Sequence, residues 1–199
     1  IVEQSQINKG VPKERILMSY EPRGTGDQKN TGWNYKVDLV YSDDFFKTFK
    51  VLASKGNKFL VTNHYLFVSS VVDQEAQEVQ LLLAKTTHYD YDLQPIDTNQ
   101  KSYLEHSYTF LDPTFHSVFL HINHFVENSP YGHIYISGPR GLGYSLSLKN
   151  NIRSEGNQCN FEKVTSVAGV YIANVISGKY MKLAAKELQQ VQQKNLIIT

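Results

Sequence analysis

Within Val40–Phe49 (VYSDDFFKTF), the residues Ser42, Asp44, Thr48 and Phe49 stand at the spacing S-x-D-x-G-x-T-W, the Asp-box pattern. A short Ser hydroxyl and an Asp carboxylate two residues apart accept turn N–H groups and lock a hairpin. The aromatic five places after the Asp is expected to pack beneath the turn. The pattern returns twice in worn form. Ala84–Tyr91 (AKTTHYDY) puts Thr86 at the Asp position and Tyr91 at the aromatic. Ser137–Tyr144 (SGPRGLGY) keeps the Ser, the Gly and the aromatic, with Pro139 for the Asp. The boxes start at 42, 84 and 137, so they are 42 and 53 residues apart. A four-stranded propeller blade takes about 40–50 residues, which fits one turn per blade. Unrelated hairpins of a β-sandwich fit the same passages.

The chain between the boxes reads as strands. They fall at 15–20 (RILMSY), 35–41, 49–52, 59–61, 65–72, 78–84, 108–111, 117–122, 132–137, 144–148, 161–164 and 168–175. Thirteen Tyr and ten Phe in 199 residues supply strand-favouring aromatics. The run EVQLLLA at 78–84 has the continuous apolar character of a strand covered on both faces. Asp112-Pro113 signals a turn, residues 1–13 read as irregular, and 21–32 (EPRGTGDQKNTG) reads as an exposed loop. Met181–Val191 is the one helix candidate, with Met181, Ala184, Leu188 and Val191 at helical spacing. The expected fold is all-β: a β-propeller of four-stranded antiparallel blades over 1–199, without a second domain.

Several functions are disfavoured. A net charge of +1 with mixed signs gives no field for nucleic acid or an anionic membrane. The single Cys159 rules out an internal disulfide or a cysteine-based metal site, and no base stands near it in sequence to make it a nucleophile. No signal peptide or membrane span is present, and a start at Ile1 fits processing or truncation. His116, His121 and His124 suggest a metal, but 121 and 124 point to opposite strand faces, so no metal ligand is assigned. They are candidates for a pH sensor instead. Gly138–Gly143 lacks the Lys-Ser/Thr of a phosphate loop and precedes a strand, so it reads as a turn. Asp43 and Asp44 read as structural. No catalytic residue and no cofactor is expected.

The passage Val118–Val175 resembles the Vps10-domain family, the sortilin-like sorting receptors. VFLHI, the G-x-I-Y-x-S turn, YSLSL, NFEKV and GVYIANV carry the likeness, with YSDDFFKTF and YLFVSS upstream. It covers roughly 35 to 175. The resemblance implies a ten-bladed propeller, of which this chain holds about four blades, and hence a fragment that ends at Leu196–Thr199 before the next box. The family's cysteine-rich modules, membrane span and cytoplasmic tail have no counterpart here. It further implies a type I membrane receptor in the lumen of the Golgi and endosomal system. Such a receptor binds propeptides, hydrolases and other peptide or protein ligands for transport to the endosome or vacuole. The remaining blades and a second receptor copy are implied partners.

Matched residue by residue, the family's tunnel site falls on Phe67 and Ser69, and its Tyr-Ser pair on Tyr108 and Thr109. The family's Arg has no match in Glu75–Leu83 (EAQEVQLLL), and Glu78 lies there instead. A basic or uncharged peptide, or a different surface altogether, therefore fits better than a ligand carboxylate at this site. Two alternatives remain. One is an Asp-box glycoside hydrolase of sialidase type, which needs paired carboxylates and clustered arginines, whereas Arg15, Arg23, Arg140 and Arg153 are scattered. The other is an assembly subunit whose blade edges pair with other chains.

Overall fold

The computed structural model describes residues 2–3, 12, 14–21, 37–62, 65–73, 76–87, 90–114, 117–124, 129–153 and 158–177. Every element among them is a strand. The first sheet joins β1 (Val2–Glu3), β2 (Ile16–Tyr20), β3 (Asp38–Ser42) and β4 (Lys50–Ala53), in that order. The second runs β5 (Gly56–Val61), β6 (Leu66–Asp73), β7 (Glu78–Thr87) and β8 (Asp90–Pro95), and β9 (Tyr103–Leu104) also pairs with β7. The third runs β10 (Tyr108–Thr114), β11 (Ser117–Ile122), β12 (Tyr131–Ser137) and β13 (Tyr144–Ile152). The fourth pairs β14 (Phe161–Lys163) with β15 (Tyr171–Ala173). All strand pairs are antiparallel.

Each of the three box passages joins the third and fourth strands of a sheet: 42–49 between β3 and β4, 84–91 between β7 and β8, 137–144 between β12 and β13. The recurrence in sequence is thus a recurrence of position.

Sheets stack face to face through the period-two alternation of their strands. On β7, Val79, Leu81 and Leu83 join a core with Val118, Leu120 and Ile122 of β11 in the third sheet. Ala84 and Leu82 of the same strand join Leu17, Leu39 and Tyr41 of the first sheet. The apolar run at 78–84 is therefore an inner strand covered on both faces. Phe119 of β11 turns the other way, onto Phe161 and Tyr171 of the fourth sheet, at centroid distances of 5.0 and 4.8 Å.

Local straps tie the second sheet to the third. The Asp97 N–H donates to Leu142 O at 2.7 Å, and the Tyr144 N–H to Asp97 O at 2.8 Å. The Tyr65 hydroxyl donates to Pro139 O at 2.8 Å. Gly141 is obligatory there: its φ is +71°, and a Cβ would sit 2.7 Å from the Tyr65 ring.

Four sequence readings are corrected. Val2–Glu3 pairs with Leu17 and Ile16 instead of being irregular. β10 continues through Asp112-Pro113, with a register shift between Phe110 and Pro113, so the proline sits at a bulge and not in a turn. Thr86 and Thr87 lie in β7, opposite Tyr91 and Asp90, and β8 is a full strand. Val164–Val170 is a turn before β15, closed by Val167 N–H to Val164 O and Val164 N–H to Val170 O. The helix expected at 181–191, residues 22–32 of the expected loop, residues 35–36 of the strand expected at 35–41, and His116 lie outside the described residues.

Candidate functional site

The residues matched to a ligand site lie on β6 and β10, where the second and third sheets meet. Ser69 stands opposite Lys58 of β5 in register, so the two share a face. The Lys58 ammonium reaches the Glu105 carboxylate at 3.3 Å, with side-chain exposures of 43% and 6%. Ser69 Oγ and the Tyr108 hydroxyl are buried in this same corner, and neither makes a hydrogen bond of good geometry. Burial and the nearby Glu105 push the Tyr108 phenol up to about 12, and Ser69 opposes this. Phe67 is 1% exposed and stacks on Phe110 at 4.6 Å, so its ring closes the floor of the corner.

Phe67, Ser69 and Tyr108 are thus brought together. Thr109 is not: the next residue on β10 faces the opposite way, where its Oγ accepts from Arg153 Nη2 at 3.3 Å. Lys58 and Glu105 went unnoticed in the sequence. Lys58 was within reach of sequence reasoning, since Ser69 and Lys58 are equally far along the chain from Asn63-His64. Glu105 was not, because the link between β9 and β10 delivers it, 47 positions further along the chain than Lys58.

The first box forms a complete local lock. Ser42 Oγ accepts from the N–H of Asp44 at 3.2 Å and of Phe46 at 2.9 Å, and donates to Asp44 Oδ1 at 2.7 Å. Asp44 accepts the Thr48 N–H at 2.9 Å and the Thr48 hydroxyl at 2.7 Å. These Thr48 and Ser42 donors hold the Asp44 carboxyl down at about 2. Phe49 stays 46% exposed and leans on Tyr20 of β2, at 5.2 Å, and not beneath the turn. Ser137 of the third passage spends its Oγ on the N–H of Val118, 2.8 Å away, and not on its own turn. A shallow depression of about 120 Å³ lies over the first turn, lined by Tyr41, Asp43, Asp44, Thr48 and Lys50 among others.

Asp43 clamps Arg15. Both its oxygens accept from the guanidinium, at 2.7 and 2.8 Å. Arg15 is 1% exposed and lies over the Tyr41 ring at 4.2 Å and the Tyr91 ring at 5.2 Å. Tyr41 donates to Asp90 at 2.7 Å. Asp43 and Asp44 are therefore consumed by structure and leave no carboxylate pair for acid–base work.

His121 is fully buried, and burial, with Arg153 nearby, pulls it down to about 4. His124 is partly exposed, shares a hydrogen bond with the Tyr135 hydroxyl at 2.8 Å, and is lowered by partial desolvation and the neighbouring His133. A histidine held near 4 stays neutral in mild acid, which removes His121 from the set expected to sense it. Among the described residues no group of three or more His, Cys, Asp or Glu could hold a metal ion. No helix there is long and apolar enough to cross a membrane.

Successive antiparallel sheets, with no helix among the described residues, define the class: an all-β protein consistent with the Vps10 β-propeller domain. The family model Sortilin-Vps10, described as sortilin, neurotensin receptor 3, matches residues 9–196, and the chain belongs to this family. Vacuolar protein sorting/targeting protein 10 of Coccidioides posadasii is 28% identical over 183 residues, 90% of this chain and 12% of the relative. The protein of that name from Talaromyces marneffei is 30% identical over 140 residues, 70% of this chain and 9% of the relative. That from Arthroderma gypseum is 38% identical over 74 residues, 37% of this chain and 5% of the relative. The chain spans no more than 12% of the length of these curated relatives.

Proposed function

We propose that this chain is a segment of the ligand-binding propeller of a vacuolar sorting receptor, working by binding and not by catalysis. The observation that carries the reading is the repeated placement of the box passages between third and fourth strands of successive sheets, joined to the family match. In this reading the chain holds about four blades of a ten-bladed ring, and 42–49 is a true Asp-box whose role is to stabilise. The receptor works in the lumen of the Golgi and endosomal system and is anchored by segments beyond this chain. Its ligands are propeptides, hydrolases and similar peptide or protein cargo.

Ser69 and Tyr108 are the proposed ligand-contacting residues, over the Phe67 floor. Their hydroxyls are buried donors without good partners, and a ligand carbonyl or hydroxyl would satisfy them. Thr109 contributes by setting the strand and not by touching the same ligand. The Lys58–Glu105 pair makes the corner close to neutral, which suits an uncharged or weakly basic segment.

Calorimetric titration of cargo peptides onto the intact receptor tests this. Ser69→Ala and Tyr108→Phe remove one hydroxyl each and leave the packing intact. Each should weaken binding about fivefold to tenfold, the net value of a hydrogen bond. Unchanged affinity in both folded variants would remove this corner from the binding site.

A further inference from the structure

On the face of the third sheet that meets the fourth, a buried cation stands without a counter-charge among the described residues. Arg153, next to β13, is 6% exposed. Among the described residues it has no carboxylate partner; its Nη2 donates to Thr109 Oγ at 3.3 Å, and its Nε has no partner. Thr109 is directly opposite His121 in the β10–β11 register. His121 is completely buried against the Asn151 backbone, and neither imidazole nitrogen makes a hydrogen bond of good geometry. Asn151 is also fully buried: its Nδ2 donates to Asn160 O and Asn174 O, at 2.8 and 3.0 Å, while its Oδ1 has no partner. Cys159, opposite Arg153 in an isolated bridge, stays a neutral thiol because burial raises it above its ordinary value.

An uncompensated guanidinium is strongly disfavoured out of water, and a proton donor left idle adds to that penalty. A single small anion would answer both the charge and the idle donors. We propose that Arg153 and His121 form a binding site for a small monovalent inorganic anion of the chloride class, seated between the third and fourth sheets. The guanidinium supplies charge and its Nε–H; one imidazole N–H supplies a second donor. Thr109 orients the guanidinium through Nη2. Arg15 is the contrast: it is also buried, but Asp43 neutralises it with two hydrogen bonds.

The test compares chloride with gluconate at equal ionic strength on the intact protein, reading chloride NMR line broadening and the unfolding midpoint. Wild-type protein should broaden the chloride line saturably and melt higher in chloride. Arg153→Met should weaken chloride binding at least ~10-fold and abolish the difference between the salts, while still melting cooperatively in gluconate. His121→Leu, which keeps the charge, should weaken binding less. Equal midpoints in both salts for wild type would overturn the site, as would the same difference in wild type and Arg153→Met. Glu155→Gln abolishing the chloride difference would overturn it too, since a carboxylate of the chain would then be part of the arrangement. If Arg153→Met fails to fold, Thr109→Val decides: unchanged chloride broadening overturns the proposal, and weakened broadening supports it.

Discussion

Phe45 and Phe46 follow Ser42 with φ of 57° and 61°, a left-handed pair without a glycine. Phe45 is also 75% exposed, so its ring contributes little packing. Left-handed backbone costs a side chain about 1–2 kcal/mol, and glycine's extra freedom in the unfolded chain takes back about 0.5–1. Phe45→Gly should therefore stabilise the protein by about 0.5–1 kcal/mol, read as a higher urea midpoint. Asp44→Ala should lower the melting temperature and leave cargo affinity unchanged, because Asp44 serves its own turn; lost binding in a folded variant would contradict this. His121 adds a pH dependence. Its folded value, about 4, lies below the ordinary 6.5, so the unfolded chain takes up the proton first. Stability from this group is complete above pH 6.5 and drains away as the pH falls towards 4, by up to about 3 kcal/mol. Urea midpoints against pH, taken in gluconate, should show that slope, and His121→Leu should flatten it. Ser42, Asp44 and Thr48 were legible from sequence because their partners lie within four residues. Arg15 was not, because its partner Asp43 is 28 residues away.

Among the elements, β7 gives the clearest reading. A strand with apolar residues on consecutive positions is covered on both sides, and β7 is packed against the first sheet on one face and the third on the other. Leu83→Ala should cost about 2–5 kcal/mol in urea unfolding, the usual price of a cavity in a closed core. Asp43→Ala should cost about 2–3 kcal/mol, because Arg15 stays buried beneath the two tyrosines with its carboxylate gone. A loss below about 0.5 kcal/mol would mean that the Tyr41 and Tyr91 rings alone suffice for the guanidinium. Strand boundaries were harder to read. Thr86 matched a turn pattern by position, yet β-branched threonines at 86 and 87 carry β7 onward to pair with β8. Proline usually stops a strand, but at 113 a bulge takes up the missing donor. The proposed ligand corner was half legible: Phe67 and Ser69 share a face by strand period, whereas Tyr108 and Thr109, being neighbours, had to part.

Across the whole molecule, repeat spacing was legible because each sheet uses one run of chain of similar length. The packing partners of each sheet were not, since nothing local records which face meets which neighbour. The first sheet draws on residues 2–53, the second on 56–104 and the third on 108–152. No described strand of one sheet is borrowed from another. Order along the chain is therefore order in space, and contacts run mainly between neighbours, as in stacked repeats. This has a consequence for synthesis. A sheet can close as soon as its own stretch has left the ribosome, and it finds its predecessor already present as a template. The vulnerable surface at any moment is the outer face of the newest sheet, and a pause in translation between 104 and 108 would expose Val79, Leu81 and Leu83 to whatever chaperone waits at the exit.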